Sequence, residues 1–454
     1  MALYKTDWLN SDPVFYNEKT GKVSKNINDV IDFGDFDFDP EGVLNYLEFG
    51  FSVLGKTPVR NVRFLEHSSE LSITNGKVET KKQPDVMIPL VGQKSNAKDT
   101  IEFLRSKVNA WESSFTGEIV IPTSGGYDSR LMNLFIKDKE RIRAFTYGIS
   151  SDQSQSSEVL YAKKISEILK TRWEQIELEN FHQYIPDWYS MYGVATHAHG
   201  MYHIDFYSKI VKQVNTPTGL LSGIIGDAWS GRVKVTEIKT WRQVQAIAYT
   251  HGINLSADNS VLKSNRETLQ QYFIENEKKL QDPNWRIIEA MRFKLMLLSY
   301  LYRVPAHFGL HAWSPFLDAE CAAMMLNLPA EDKADRSWQT KFFKQNNLYV
   351  EDMVSKVSNE NSLDLTTLAR YPLKPLDPKI LREVVEVKFV EWVNKNARVP
   401  GNPFMQRALN SRYARPLTRP LGLTRSPMEA YNAYMVLWPL QRLIEDRNRK
   451  LNPK

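Results

Sequence analysis

Cysteine is nearly absent: the 454-residue chain holds one, Cys321. That excludes an internal disulfide and any cysteine-rich metal site, and it fits a reducing compartment. The N-terminus, "MALYKTDWLNSDPVFYNEKTGK", lacks the basic head and apolar core of a secretion signal, so the expected location is cytoplasmic. No apolar run approaches the roughly 20 residues needed to cross a bilayer. The nearest, "FKLMLLSYLYRVP", carries Lys294 and Arg303 and reads as a buried helix. Low-complexity tracts, long blocks of one charge and repeats of fixed period are missing too. With 42% hydrophobic and 11% aromatic residues, the chain is expected to fold into two or three units with buried cores.

The net charge of +6 is unevenly spread, because Arg407, Arg412, Arg415, Arg419, Arg425, Arg442, Arg447 and Arg449 crowd the last fifty residues. A basic end can meet an anionic partner. No nucleic-acid module accompanies it, so a solvated basic face is the plainer reading and nucleic acid is not the expected partner.

Residues 1–95 read as a small α+β region, with hairpins at "NEKTGKV" and "ITNGKVE" and a helix at "PEGVLNYLEFGF". From Asn96 the pattern changes. "AKDTIEFLRSKVNAWESSF" has helical spacing, followed by strand "EIVIPT", helix "SRLMNLFIKDK", strand "IRAFTYG", helix "SEVLYAKKISEILK", strand "RWEQIEL", helix "FYSKIVKQV" and strand "GLLSG". That alternation predicts an α/β fold with a parallel sheet covered by helices. Beyond Lys239 the chain reads as mainly helical, and 371–454 as a basic, mainly helical extension whose "RYPLKPLDPKI" and "RPLTRPLG" suggest surface loops.

The densest chemical signal is "IVIPTSGGYDSRLMNLFI". A buried strand that ends in a Ser-Gly-Gly turn and feeds a helix leaves backbone N–H groups pointing into one concavity, which suits an anion. Gly125 and Gly126 would let phosphate oxygens approach the backbone, and Ser124 and Ser129 could donate hydroxyl hydrogen bonds. Asp128 beside a polyphosphate is repulsive unless a divalent cation lies between them, and magnesium resolves that conflict; the plain alternative is an aspartate capping an ordinary Gly-rich turn. The turn lacks the Gly-Lys-Ser/Thr ending of a Walker loop. About a hundred residues on, "LLSGIIGDAWSGR" repeats the logic and places Asp227 at another strand end. Two strand-end aspartates can share one metal at the carboxyl edge of a parallel sheet.

"SGGYDS", "LSGIIGD" and "SPFLDAECAAMMLNLP" together resemble three landmarks of the synthetase domain of asparagine synthetases, within the N-type ATP pyrophosphatase superfamily. β-Lactam synthetases and lasso-peptide cyclases are relatives. The resemblance covers about residues 96–360, giving a synthetase domain over 96–370. It extends faintly into "YLEFGFSVLGKTPVRNVRFLEHSSELSITNG", which looks like the end of a glutaminase domain. The nucleophilic cysteine of such a domain has no counterpart, so no glutaminase activity is expected.

The resemblance implies a doubly wound sheet of the ATP-pyrophosphatase type and a two-step reaction with ATP and Mg2+. A carboxylate attacks the α-phosphate, pyrophosphate leaves, and ammonia or an organic amine displaces AMP to form an amide. Ser124, Gly125, Gly126 and Ser129 match the pyrophosphate loop, and Asp128 and Asp227 the metal-binding aspartates. Val120, Tyr147, Gly148 and Gly223 fall where the nucleotide is held, with adenine met largely through backbone. Glu158 matches an acidic position of the following helix. The lysine that stabilises the transferring phosphate corresponds to Lys356, with Lys341 as the alternative.

Departures from the pattern are equally informative. Ile224 stands where asparagine synthetases carry glutamate, Ala228 replaces an acidic residue, and Arg232 stands near the usual Gly-Tyr close of the motif. The acceptor side therefore reads as rebuilt for a specialised carboxylate, such as a sugar uronic acid in glycan assembly or a secondary metabolite, including phosphate-bearing sugar or lipid substrates. In "ATHAHGMYHIDFY", His197, His199, Tyr202 and His203 cluster without a His-Glu-x-x-His motif, which argues against zinc. Substrate contact or proton transfer, assigned to His199, is weighed against simple packing. The rival functions are a nucleotide sensor or scaffold that has lost its chemistry, and a nucleic-acid-modifying ATP pyrophosphatase.

Overall fold

The computed structural model describes residues 2–74, 76–215, 218–248, 252–355, 357–398 and 426–451. Six short strands, β1 (Ala2–Lys5), β2 (Phe15–Asn17), β3 (Val23–Ser24), β4 (Val62–Phe64), β5 (Ser69–Thr74) and β6 (Lys77–Lys82), form two antiparallel sheets ordered β1-β5-β6 and β3-β2-β4. The two hairpins read from the sequence are β2–β3 and β5–β6. Between them α1 (Pro40–Phe49) starts on an Asp39 side chain that accepts from Gly42 N–H and ends at Gly50 in the left-handed region, φ 76°.

The α/β part begins with α2 (Ala97–Ser113), capped by Asn96, which buries Ile101, Leu104 and Val108. There follow β7 (Ile119–Pro122), α3 (Tyr127–Phe135), β8 (Ile142–Thr146), α4 (Ser157–Leu169), β9 (Arg172–Gln175), α5 (Tyr202–Ile210), β10 (Thr218–Leu221) and the one-turn α6 (Gly226–Trp229). Next come α7 (Glu267–Gln281), α8 (Pro283–Leu298), α9 (Tyr300–His307) and β11 (Leu310–Trp313). The strands β7 to β11 make one parallel sheet in the order β11-β10-β7-β8-β9. β10 is buried throughout and β7 nearly so, which is why both read as unbroken apolar runs.

That order fixes where a ligand can sit. The chain adds β8 and β9 on one side of β7, then crosses to lay β10 and β11 on the other, so the winding reverses between β7 and β10. Loops leaving the carboxyl ends of those two neighbours diverge and open a crevice at this switch point. Strand β11 lies in the stretch read as mainly helical. It has four residues with His311 exposed and pairs in register only with β10, so it carries neither alternation nor an apolar run.

The helical C-terminal part continues with α10 (Ala319–Leu326), α11 (Ser337–Gln345), α12 (Leu363–Arg370), α13 (Val387–Asn396) and α14 (Ser426–Leu451). The stretch "RPLTRPLG" lies outside the described residues. A contiguous apolar core runs from Trp8 to Ile444 and includes residues of the N-terminal sheets. Polar ties cross it: Trp8 Nε1 donates to Leu317 O at 2.8 Å, and the Tyr46 hydroxyl donates to Val436 O at 3.1 Å. Among the described residues no helix is long and apolar enough to cross a membrane.

Candidate functional site

At the end of β7 the chain turns through Thr123–Gly126 into α3, and hydroxyls hold the turn closed. Ser124 N–H donates to Ser129 Oγ at 3.1 Å, Ser129 Oγ donates to Ser124 O at 2.9 Å, and Gly126 N–H donates to Ser124 Oγ at 3.2 Å. The residue that caps the helix, Gly126, offers no side-chain cap, so the amino end of α3 stays open to a ligand. Gly125 packs closely against Tyr161, where a Cβ would come within 2.6 Å of the ring.

Beneath the turn sits a residue that sequence reasoning passed over. Arg130 is wholly buried, pairs with both carboxylate oxygens of Glu351 at 2.9 and 3.1 Å, and donates to Gly125 O at 2.7 Å. Its guanidinium lies 5.0 Å from the Tyr127 ring centroid and 4.9 Å from that of Phe343. An arginine in the last place of "SGGYDSR" was visible, but its carboxylate partner is 221 residues away.

The turn after β10 interlocks with the first. A Cβ on Gly223 would approach Ser129 N to 2.8 Å, and one on Gly226 would approach the Asp128 Cγ to 2.6 Å and Phe316 Cε2 to 2.8 Å. These two glycines let Asp128 lie directly against the Gly226–Asp227 peptide. Ile225, with φ 56°, sits in the strained left-handed region that makes the turn this tight. Phe316 belongs to "SPFLD", which follows β11. The three sequence motifs thus leave the carboxyl ends of adjacent strands β7, β10 and β11 and converge on one point.

Asp128 is electrostatically frustrated. Its Oδ1 is buried without a hydrogen-bond partner. Burial, reinforced by the negative charge of Asp227 and opposed by Arg336, raises its pKa from 3.8 to about 7. Two neighbours were invisible to sequence reasoning. Arg336, held in the left-handed region at φ 55°, stacks 4.2 Å over Tyr127. Gln339 of α11 is fully buried with its amide toward Asp128, where it favours the ionised carboxylate, although no contact of Nε2 or Oε1 has good hydrogen-bond geometry. Lys294 of α8, 4% exposed, is the third hidden cation: burial pushes its pKa down to about 8 while Asp227 draws it back up. A lysine between Phe293 and Leu295 in an apolar helix was its only sequence signal.

A cavity of about 310 Å³ opens over these turns, lined by Ser124, Gly126, Asp128, Ser129 and Gly223. Its remaining wall includes Tyr147, Glu158, His203, Phe206, Tyr207 and Ile224. Other residues singled out in the sequence lie elsewhere. Val120 is buried inside β7 and does not reach the cavity wall. Gly148 packs on Gln153 O, where a Cβ would come within 2.2 Å, and also stays off the wall. Lys341 is exposed and paired with Asp332 at 3.5 Å, Arg232 is exposed, and Lys356 lies outside the described residues.

The histidine cluster divides. His199 Nε2 bonds Asp364 at 3.0 Å, which with burial opposing holds that carboxyl below its ordinary range, and it does not line the cavity. His197 is buried and accepts from His199 N–H, with burial lowering its pKa to about 3. His203 alone reaches the cavity. Among the described residues no group of three or more His, Cys, Asp or Glu is placed to hold a metal, so a cation between Asp128 and Asp227 would draw its other ligands from phosphate oxygens and water. Compared by sequence with known proteins, the chain matches no family model and no curated protein.

Proposed function

We propose that the chain is an ATP-dependent, AMP-forming amide ligase of the asparagine-synthetase type. One observation carries the reading: three motifs leave adjacent strand ends so that Asp128 lies against Gly226–Asp227 beside the open amino end of α3. The chemistry needs that arrangement. A carboxylate is a poor acyl donor until one of its oxygens becomes part of a good leaving group. Its attack on the α-phosphorus forms a P–O bond as the bond to the β-phosphate breaks, and the departing pyrophosphate carries charge that must be neutralised. The amine nitrogen then bonds the acyl carbon, the bond to AMP breaks, and a proton is lost.

The residues present fit a magnesium ion. Asp128 has an orphaned buried oxygen and a carboxyl whose ionisation lacks sufficient compensating charge, and Asp227 adds a second carboxylate. Magnesium, when bound there, supplies positive charge to the leaving pyrophosphate. The chain's own contribution is to hold the loop through Ser124, Ser129 and Arg130, and to offer the N–H groups of α3 to the phosphates.

Ile224 adds an apolar side chain to the cavity wall. That suits a rebuilt carboxylate site for glycan or secondary-metabolite amidation with ammonia or an amine. It also favours a second reading, a nucleotide sensor without turnover. Pyrophosphate release from Mg·ATP, assayed with a panel of carboxylic acids and amines, separates the two. Acid-dependent release that falls at least about 100-fold in both Asp128→Asn and Asp227→Asn supports the ligase. Tight ATP binding with no release for any acid supports the sensor, and full turnover in both variants overturns the site assignment.

A further inference from the structure

His203, the histidine of the cavity wall, is unsatisfied. It is 6% exposed, its ring lies 4.3 Å from that of Tyr202 and 4.4 Å from that of Tyr300, and neither Nδ1 nor Nε2 has a hydrogen-bond partner. Burial, then the nearby His199, lowers its pKa to about 3, so the ring is neutral at physiological pH. A neutral imidazole presents one donor and one acceptor. Glu158 of α4 reaches the same cavity with a buried, unpartnered Oε2, which as a carboxylate oxygen only accepts. Phe206 and Tyr207 add flat aromatic surface, and Leu301 an apolar edge, to the same wall.

A buried polar group left unpaired is costly, so two in one cavity wall call for a ligand that pairs with both. A planar heterocycle with an exocyclic amino group beside a ring nitrogen has the required pattern, and its faces suit aromatic walls. We propose that His203 and Glu158 read the base of the nucleotide: Glu158 Oε2 accepts from the 6-amino group of adenine, and His203 donates to the adjacent ring nitrogen. The inference rests on the nucleotide-binding reading above. It assigns base recognition to side chains of α4 and α5, where the sequence resemblance implies backbone contacts.

Equilibrium binding to the full chain, with ATP, GTP, purine riboside triphosphate, 1-deaza-ATP and 7-deaza-ATP, tests it. The wild type should bind ATP at least about tenfold more tightly than purine riboside triphosphate, which lacks the amino group. In Glu158→Leu that gap should shrink to less than about threefold. His203→Phe keeps a ring between the two tyrosines; it should weaken ATP about tenfold while leaving one deaza analogue, the one missing the nitrogen that His203 meets, unchanged.

Equal weakening of every nucleotide by both variants would mean a structural role and sink the proposal. So would wild-type binding of GTP, or of purine riboside triphosphate, as tight as that of ATP. In those cases ATP still binds and the ligase reading stands. Failure of the wild type to bind any nucleotide overturns both.

Discussion

Replacing Asp128 by asparagine should stabilise the ligand-free protein, and by an amount that depends on pH. Unfolded, the carboxyl ionises near 3.8; folded, burial and Asp227 hold it protonated to about 7. Below 3.8 both states carry the proton and the side chain costs nothing in ionisation. Between 3.8 and 7 the unfolded chain has released its proton while the folded chain keeps it, so stability falls as pH rises, and above 7 the loss is complete. The full gap corresponds to at most about 4 kcal/mol, of which roughly 2.5 kcal/mol develops between pH 5 and 8. Asparagine does not titrate, so Asp128→Asn should gain on the wild type by that amount across the interval. At about 2 cal/mol/K of unfolding entropy per residue, the midpoint difference grows by some 2–3 °C. Thermal unfolding of both proteins at pH 5, 6, 7 and 8 in chelator reads it directly. A midpoint difference that is constant across this range would refute the claim that Asp128 is buried against a second negative charge.

Asp227→Asn should change nucleotide affinity in opposite directions: at least about tenfold weaker for Mg·ATP, but equal or tighter for ATP in chelator, because a repelling carboxylate is gone; calorimetry in the two buffers checks both signs. Gly226→Ala would push a methyl to 2.6 Å from the Asp128 Cγ and 2.8 Å from Phe316. It should cost about 1–3 kcal/mol in denaturant unfolding and abolish the thermal stabilisation by Mg·ATP. Arg130→Met removes a buried cation from Glu351, which is 27% exposed, and from Gly125 O. A loss of about 2–3 kcal/mol is expected, with pyrophosphate release falling further than stability explains; activity equal to wild type would deny Arg130 its place under the loop.

The parallel sheet was legible because β7 and β10 are buried on both faces and so announce themselves as apolar runs ended by Ser-Gly turns. Their adjacency is written in no local pattern and was expected only from the recurrence of an aspartate at two strand ends and from the family resemblance. Asp128 and Asp227 are 99 positions apart in the numbering, and only the crossover that sets β10 beside β7 makes them neighbours. The same holds for the cations. The motif resemblance points to Lys356, outside the described residues, or Lys341 for charge on the phosphate; the cations whose charge reaches the aspartates themselves are Arg336, from a left-handed turn before α11, and Lys294, from a buried helix. No local pattern encodes either, since each depends on a packing contact between distant segments. Val120 shows the converse case. A residue inside a central strand of such a sheet faces helices, and only the residues past its carboxyl end reach the crevice.

What the distant segments build together is a pocket wall that the protein alone leaves unsatisfied. Asp128 Oδ1 and Gln339 beside one turn, and Glu158 Oε2 and His203 on the cavity wall, are all buried without a well-formed hydrogen bond. Native interiors seldom leave such groups unpaired, and three in the wall of one crevice, Asp128, Glu158 and His203, lower the stability of the ligand-free chain. A ligand that pairs with them recovers that free energy on binding, so the ligand-bound form should be the markedly more stable one. The distribution of the orphans also suggests how the ligand lies: anionic, cation-associated parts against Asp128 and a hydrogen-bonding planar part against His203 and Glu158. A phosphate-only ligand, such as pyrophosphate with magnesium, should therefore stabilise the protein less than Mg·ATP does. Equal stabilisation by the two at matched saturation would leave His203 and Glu158 without a role in binding.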